Sequence, residues 1–448
     1  MSQKTSIIMA KKNEEQKLPH EYFPPISFSP AGPDIATQQR NLIQVRQNPA
    51  FTFAMALLAE ALYKRADVIL LDFTREAAGV RYSVDGLWTQ MPPRDRQTAD
   101  ALLVCLKKIA NLNPAERRAK QEAKFGVEFR NQKFNVFFTS QGVPTGERIL
   151  MKCLPKKFPF SFLEELGMRD KMREQFKQLI NTAPGLVVIS APSGGGLTTA
   201  WKVGIESADR FVRDFVSAED KHSTDEEMIN VNQYKFDAVA GDTPDTILRT
   251  VLLKQPDALV IPEIMNVATM KVICDHVNRD GKMAFTRVNA KDSAEALLRM
   301  LAFKHDPAEV AKAITTVLNV RLIRKLCDCK QPFQPPPQLL QKLGIPPGRV
   351  QVLYREYQPP PPDPKAKDEP PPICPKCQGV GYFGRTAIFE LLVMNEQLRE
   401  ALVKTPKLET LRQIARQTGT KSIQDEGILL VVKGVTTVNE LQRVLQAT

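Results

Sequence analysis

A short apolar run followed at once by a glycine-rich segment constrains the fold of this chain more than any other feature. Residues 185–190 read GLVVIS, an apolar stretch of strand length that is typical of a parallel strand buried on both faces. The next residues, 191–199, read APSGGGLTT and lead into a helical pattern. Strand, glycine-rich loop and helix in this order are the context of a phosphate-binding loop. The order predicts an α/β unit built around an anion-binding loop.

Strand-like and helical segments alternate after this loop. Further strand-like runs lie at 211–218, 258–261 and 283–288, and helical patterns lie at 198–208, 243–253 and 269–277. Two more helices are predicted at 293–303 and 308–325. Such alternation favours a doubly wound parallel sheet with helices on both faces. We assign this core to residues 162–326.

The N-terminal part reads differently. Residues 1–45 carry lysines and prolines without sustained apolar periodicity, which predicts a disordered tail. Residues 46–155 form a predicted α+β domain, with helices near 49–62 and 95–112 and strands at 68–73, 80–84, 134–139 and 148–154. Asp85-Gly86 between two of these strands is a hairpin turn signal, because glycine tolerates positive φ.

Cysteines and prolines mark the C-terminal part. Cys374-x-x-Cys377 has the spacing of a zinc knuckle, and Cys327-x-Cys329 supplies a shorter second half. Residues 332–375 contain three proline runs, which predict an extended polyproline segment. The four cysteines lie at the two ends of this segment, where their thiolates would hold it in place. The alternative is a set of free buried thiols. We predict a Pro-rich zinc-binding module at 327–385 and a helical domain at 386–448.

Composition excludes some classes of function. The chain has 62 Lys and Arg against 50 Asp and Glu, a net charge of +12, which fits either acidic partners or a solvated basic surface. No apolar run reaches the roughly 18 residues of a membrane span. The N-terminus has no apolar signal-peptide core, so we expect no secretion. No motif beyond net charge points to nucleic acid, so no specific nucleic-acid partner is expected.

The phosphate loop departs from its usual pattern at two positions. Ala191 stands where the first glycine belongs, and Leu197 stands where a lysine would contact the β- and γ-phosphates. Loss of that charge-assisted contact costs on the order of 2–3 kcal/mol. Thr198 stands where a hydroxyl would coordinate Mg²⁺. The predicted nucleotide-binding residues are Ser193, Gly194, Gly195, Gly196, Leu197, Thr198 and Thr199; the alternative is a glycine-rich turn without a ligand.

Several further stretches, taken in order, carry a family resemblance over residues 50–448. They are VRYSVDG at 80–86, GER at 146–148, VSAED at 216–220, QPDALVIPEI at 255–264, RLIRKLC at 321–327, CPKCQGVGY at 374–382, GRT at 384–386 and GVTT at 434–437. In these stretches the sequence resembles the assembly ATPases of type II secretion and type IV pilus systems.

The resemblance implies a fold and a set of site residues. The fold would be a RecA-like P-loop NTPase core preceded by a small PAS-like domain and followed by a tetracysteine zinc module. Glu219 and Asp220 match the acidic box that holds Mg²⁺ or positions water, with Glu219 placed among the catalytic residues. Glu263 matches the glutamate after the Walker B strand, the catalytic base. The alternative for Glu263 is a capping or solvated acid.

Other family positions hold different residues here. Met265 and Asn266 replace the arginine and aspartate of the Walker B continuation. Lys282 and Asn289 stand in the histidine box. Phe137 and Lys152 align with two phosphate-sensing arginines, and Ser83 replaces another arginine.

Because the lost groups contact the γ-phosphate, they indicate a pseudo-ATPase with a structural or regulatory role that still binds nucleotide. Two alternatives stay open. One is an active motor that uses Lys202 or Arg287 as a substitute cation, and the other is a zinc-stapled docking module without nucleotide.

The resemblance also implies partners and a location. These are a homo-hexamer or a mixed ring with an active paralogue, and platform proteins of the inner membrane. The expected location is cytoplasmic, including a peripheral position at the inner membrane. The implied cofactors are structural Zn²⁺ and ATP with Mg²⁺.

Overall fold

The computed structural model describes residues 23–446 except residues 183, 224, 226 and 358–372. The chain divides into two compact units, Met1–Pro159 and Phe160–Thr448, each with its own core. Among the described residues, no helix combines the length and the apolar character that crossing a bilayer requires.

The N-terminal unit is an antiparallel sheet with helices on one face. Its seven strands lie in the order β1-β5-β6-β7-β2-β3-β4, and its core consists of alternate strand residues and the inner faces of the helices. The elements are β1 (Ile26–Ser29), α1 (Ile35–Arg46), α2 (Phe51–Tyr63), β2 (Ala66–Phe73), β3 (Ala77–Val84), β4 (Leu87–Asp95), α3 (Arg96–Ile109), β5 (Gln121–Phe129), β6 (Gln132–Val143) and β7 (Gly146–Pro155).

The predicted α+β character of this unit is confirmed, and so is its Asp85-Gly86 turn, where both residues have positive φ. The prediction of a disordered tail over 1–45 is wrong for the described part of that range. Strand β1 pairs with β5, and α1 begins at a capping aspartate, Asp34. The sequence shows no strong periodicity there because β1 has only four residues and α1 buries only Val45 completely. Residues 1–22 lie outside the described part of the chain.

The C-terminal unit contains the predicted parallel sheet. Its strands lie in the order β10-β9-β11-β12-β8-β13-β16, and only β16 is antiparallel to its neighbour. The elements up to β13 are α4 (Asp170–Thr182), β8 (Gly185–Ala191), α5 (Leu197–Glu206), β9 (Phe215–Asp220), β10 (Val231–Phe236), α6 (Pro244–Val251), β11 (Ala258–Ile261), α7 (Val267–Asn278), β12 (Met283–Asn289), α8 (Ser293–Leu301), α9 (Pro307–Ala313) and β13 (Ile314–Leu326).

Helices cover both faces of this sheet. Leu186 and Val188 of β8 share a core cluster with residues of α7 and α8. Side chains alternate along a strand, so Val187 and Ile189 point to the opposite face, where Ile189 approaches Gly204 of α5. The predicted fold class, a parallel sheet with helices on both faces, is therefore confirmed.

One predicted helix is wrong. Residues 308–325 form only the short helix α9 and then β13, a thirteen-residue strand that joins β8 to β16. Six of the thirteen residues are Val, Ile or Thr, whose branched side chains favour strands. The strand is buried on both faces, so its apolar run lacks the alternation that would separate it from a helix.

The remaining elements are largely helical. They are β14 (Gln331–Phe333), α10 (Pro337–Lys342), β15 (Leu353–Arg355), β16 (Tyr382–Val393), α11 (Glu396–Lys404), α12 (Leu408–Gln417), α13 (Ile423–Val432) and α14 (Val438–Gln446). The predicted helical C-terminal part is confirmed after β16. The prediction of a fully extended segment over 332–375 is wrong for its first part, because β14 pairs with β15 and α10 lies between them. The proline runs at 359–362 and 370–372 lie outside the described residues.

Candidate functional site

The glycine-rich loop connects the buried strand β8 to α5, as its sequence predicts. Gly195 N–H donates to Pro192 O at 2.8 Å, which closes a tight turn. Gly196 caps α5 with φ at 95°, a left-handed conformation that glycine adopts without strain. It offers no side chain to the first turn of the helix, so the uncapped N–H groups there can receive an anion.

The predicted phosphate-binding residues differ in exposure. Ser193, Gly194 and Thr198 are exposed, whereas Gly195 is buried and Gly196, Leu197 and Thr199 are half-buried. Leu197 is the first residue of α5. The loop therefore presents backbone donors and the Thr198 hydroxyl to solvent, with an apolar side chain in the position of the lysine.

The predicted acids lie at the same edge of the sheet as this loop. Strands β9, β11, β12 and β8 are consecutive and parallel, so their carboxyl ends share one edge. Glu219 and Asp220 end β9, and exposed Glu263 lies two residues beyond β11. Strand β12 separates β11 from β8, which puts their ends about 10 Å apart at the usual strand spacing.

Glu219 is turned into the protein. It is 3% exposed, and its Oε2 accepts the N–H of Asp225 at 2.8 Å. The Gln233 side-chain amide lies 3.4 Å from the other oxygen. These hydrogen bonds attach Asp225 and Gln233 to the Glu219 carboxylate. The same carboxylate oxygens would be needed for the predicted role of Glu219 in binding water or Mg²⁺.

Asp220 is half-buried and also holds its own loop. Its Oδ1 accepts the N–H groups of His222 and Ala238, both at 3.3 Å. Possible metal-ligand atoms of Asp220, His222 and Asp237 lie within 4.8 Å of one another. However, Lys221 Nζ lies 2.5 Å from Asp237 Oδ2, so a cation there would compete with an ammonium group already in place.

An ion pair that sequence analysis did not anticipate lies on the α5 side of the sheet. Arg287 of β12 contacts both carboxylate oxygens of Asp225, at 3.0 and 2.8 Å. The indole N–H of Trp201 donates to the same carboxylate at 3.0 Å, and the Arg287 guanidinium lies over the indole ring. The candidate substitute cation is thus held by an internal anion. No sequence signal marks Asp225, because it lies in a loop without a motif.

The other replaced positions are ordinary structural residues here. Lys282 pairs with Asp257 at 2.5 Å, and Asn289 is the last residue of β12. Phe137 and Lys152 lie opposite each other in β6 and β7. Ser83 is buried in β3. The structure thus brings together the two positions that align with phosphate-sensing arginines, but Lys152 is the only cation of the two.

The four predicted metal ligands form one cluster. The Sγ atoms of Cys327 and Cys374 lie 3.9 Å apart, those of Cys329 and Cys377 lie 3.7 Å apart, and all four lie within 4.8 Å of one another. Gly381 N–H donates to the Cys377 sulfur, and backbone N–H groups lower the pKa of the Cys374 thiol to about 7. The separation excludes S–S bonds, which are about 2 Å long.

The sulfur positions fit a tetrahedral metal. Four thiolates at about 2.3 Å from Zn²⁺ have sulfur atoms about 3.8 Å apart. The shortened Cys327-x-Cys329 half contributes both of its thiols to the cluster from a tight turn, which Lys330 N–H closes by donating to Cys327 O at 3.0 Å. By contrast, Cys105, Cys153 and Cys274 are buried free thiols outside it.

Comparison with known proteins identifies the family. The model of the family "Type II/IV secretion system protein" matches residues 44–443. The type IV pilus assembly ATPase PilB of Thermus thermophilus is 27% identical over 407 residues, which are 89% of this chain but 43% of that protein. The type II secretion system ATPase E of Vibrio cholerae is 25% identical over 409 residues, 91% of this chain and 78% of that protein.

Solved structures show the same fold. The Legionella pneumophila ATPase DotB superposes with a TM-score of 0.58 at 14% identity, covering 88% of this chain and 96% of that one. The Yersinia pseudotuberculosis ATPase DotB gives a TM-score of 0.54 at 13% identity, covering 89% and 94%. From the family match and this fold, we conclude that the chain belongs to the type II/IV secretion system protein family.

Proposed function

We propose that this chain is a structural or regulatory subunit of a type II secretion or type IV pilus motor that binds nucleotide but does not hydrolyse it at a motor's rate. The observation that carries the proposal is Leu197 at the start of α5, where phosphoryl transfer needs a lysine. The loop backbone still offers N–H donors to a phosphate. Binding thus survives in part, while the charge that stabilises the transition state is missing.

The surroundings of the loop support this proposal over an active enzyme with a substitute cation. Arg287, the cation on the strand next to β8, is paired with Asp225. Glu219, the expected acidic-box glutamate, is buried and accepts loop hydrogen bonds. Recruiting either group to a nucleotide would break these contacts, each of which costs free energy.

Titration of the purified chain with ADP and with ATP plus Mg²⁺, followed by a phosphate-release assay, tests the proposal. We expect binding without steady turnover. Leu197→Lys should tighten ATP binding about tenfold or more, because a charge-assisted hydrogen bond contributes about 1.5–3 kcal/mol. Leu197→Gln is the matched control, since it adds a polar group of similar length without a charge.

Two results would contradict the proposal. Steady hydrolysis by the wild-type chain at the rate of an active motor would show that the lysine is dispensable here. Complete lack of binding by both the wild-type chain and Leu197→Lys would show that the loop is not a nucleotide cradle, and would favour a docking module.

We also infer that the four-cysteine cluster holds a structural Zn²⁺. Cys327, Cys329, Cys374 and Cys377 would be the ligands, and the metal would join the end of β13 to the start of β16. The Cys327–Cys374 and Cys329–Cys377 sulfur separations of 3.9 and 3.7 Å support a tetrahedral ion. Metal analysis should find about one zinc per chain, and Cys377→Ser should lose it while Cys274→Ser keeps it. A metal-free wild-type chain would refute the site.

For assembly and location, the proposal follows the family resemblance. The chain would form a homo-hexamer or a mixed ring with an active paralogue, in the cytoplasm and against platform proteins of the inner membrane. Mass photometry of the chain alone, and then with an active paralogue, distinguishes the two kinds of ring. A strictly monomeric chain in both experiments would contradict ring assembly.

A further inference from the structure

The N-terminal unit contains a cavity of about 480 Å³ that the proposed motor function does not use. It lies between the loop after α3, the turn that joins β6 to β7, and the end of β2. Three arginines line it, Arg96, Arg117 and Arg118. The volume falls within the range of small-molecule sites.

Close backbone approaches fix the walls of this cavity. Gly142 N–H donates to Arg118 O at 3.2 Å, and a Cβ on Gly142 would lie 2.7 Å from the Arg118 Cα atom. A Cβ on Gly146 would lie 2.6 Å from Phe73 O. Only glycine allows backbone segments to approach this closely. The turn between β6 and β7 is therefore packed tightly against the loop after α3 and against the end of β2.

Acidic side chains neutralise only part of the positive charge of the three cavity arginines. Arg96 and Arg117 share the two carboxylate oxygens of Asp100, at 2.8 and 3.1 Å. Within the described residues, the Arg118 guanidinium forms no hydrogen bond or ion pair. The carboxylate of Glu116 is turned into its own loop, where it accepts the N–H groups of Arg118 and Ala119.

A buried carboxylate also lines the cavity. Glu147 is 3% exposed, and its Oε1 contacts Lys107 Nζ at 2.5 Å and the Ser140 hydroxyl. Its Oε2 is buried and has no hydrogen-bond partner among the described residues. Because Lys107 neutralises this carboxylate and Asp100 neutralises one of the three arginines, the lining keeps an excess of about two positive charges.

We propose that this cavity binds a phosphate monoester of the size of a sugar phosphate. A monoester dianion matches the excess charge, and guanidinium groups bind phosphate oxygens through paired N–H donors. The cavity volume of about 480 Å³ leaves room beyond the phosphate group for the rest of a small monoester. Arg118 is the residue on which affinity depends most, because its guanidinium is uncommitted.

Calorimetric titration of the full chain with ribose 5-phosphate tests the proposal. We expect saturable binding with one site in this unit, and at least a tenfold weaker affinity in Arg118→Gln. Lys120→Gln is the matched control. Lys120 lies in the same loop, pairs with exposed Glu122 and does not line the cavity, so its loss should change affinity less than twofold.

Other outcomes would overturn the proposal. Equal weakening in both variants would indicate only diffuse attraction to a basic surface. Inorganic phosphate that binds as tightly as ribose 5-phosphate would show that the cavity recognises a phosphate ion and not a monoester. Absence of saturable binding at about millimolar ligand would show that the cavity has no such ligand.

Discussion

At the residue scale, chemistry depends on what each charged group already contacts. Glu219 and Arg287 are the types of residue that a nucleotide site uses, yet both have internal partners in the loop that contains Asp225. Exposed Glu263 is different, because it lies beyond a strand end and faces solvent. The type of a residue therefore shows which chemistry its side chain could perform. Its existing contacts decide whether the side chain is free to contact a nucleotide.

Replacing Asp225 tests how strongly its loop is attached. Asp225→Asn removes the carboxylate that neutralises Arg287, whose side chain is 22% exposed. We expect a loss of about 2 kcal/mol in the free energy of unfolding, because a mostly buried cation loses its partner. Urea unfolding followed by tryptophan fluorescence measures it, in a Trp88→Phe background that leaves Trp201 as the single tryptophan. Asp170→Asn, at an 83% exposed surface pair, should change stability by less than about 0.5 kcal/mol.

His276 should make stability depend on pH. Burial in α7 lowers the pKa of His276 to about 4 from its usual 6.5. The unfolded chain therefore takes up a proton that the folded chain does not, and the free energy of unfolding falls as pH drops from about 6.5 toward about 4. The loss is at most about 1.4 kcal/mol per pH unit.

Urea midpoints at pH 7 and pH 5 measure this effect. His276→Gln should reduce the difference between the two midpoints, whereas His305→Gln should leave it unchanged. Equal pH dependence in the wild-type chain and in His276→Gln would mean that another group controls the acid loss.

At the element scale, β13 organises the C-terminal unit. It pairs with β8 on one side and β16 on the other, and its Asn319 side chain donates to the Ser190 hydroxyl at 2.9 Å. Near the C-terminal end of β13, Arg324 forms an ion pair with Glu440 of α14 at 2.7 Å. A single strand thus links the phosphate-loop strand to the last helix.

The attachment of α14 depends on Glu440. This side chain is buried and accepts hydrogen bonds from the Arg324 and Arg443 guanidinium groups. Glu440→Gln should lower the free energy of unfolding by about 2–4 kcal/mol, because two arginines lose their common anion. Glu400→Gln is the control, since that acid pairs with Lys404 on an exposed helix face. Equal effects of the two changes would contradict the proposed attachment.

At the scale of the whole molecule, the cysteine cluster lies next to the segment that joins α13 to α14. Leu326 N–H donates to Val435 O at 2.8 Å, and Lys330 Nζ donates to Gly434 O at 2.6 Å. The two donors, Leu326 and Lys330, flank Cys327 and Cys329 in the sequence. Loss of the proposed zinc should therefore loosen the segment between α13 and α14.

Zinc removal should loosen one region and leave another intact. After chelation of the proposed zinc, hydrogen exchange should become faster in 382–393 and 433–446, because the ends of β13 and β16 would lose the ion that joins them. Strands β5, β6 and β7 belong to the other compact unit and should keep their protection. Quickened exchange in all of these strands would mean general unfolding and would contradict a local role for the metal.

The sequence alone determined those features that depend on local patterns. Fully apolar β8, the glycine-rich loop and the start of α5 were predictable because strand burial, backbone freedom and helix capping are local properties. The four cysteines were predictable as a group from their spacing. Leu197 was visible as the missing charge in the loop.

The remaining features depend on contacts between segments that are distant in sequence. Strand β13 resembles a helix in sequence because burial on both faces removes the alternation of a strand. The partners of Glu219 and Arg287 meet in space through the loop that follows β9, and no sequence spacing records that contact. The cavity lined by Arg118 forms where backbone segments distant in sequence approach each other. Long-range pairing fixes these features, because it depends on how the sheets fold and not on the order of residue types.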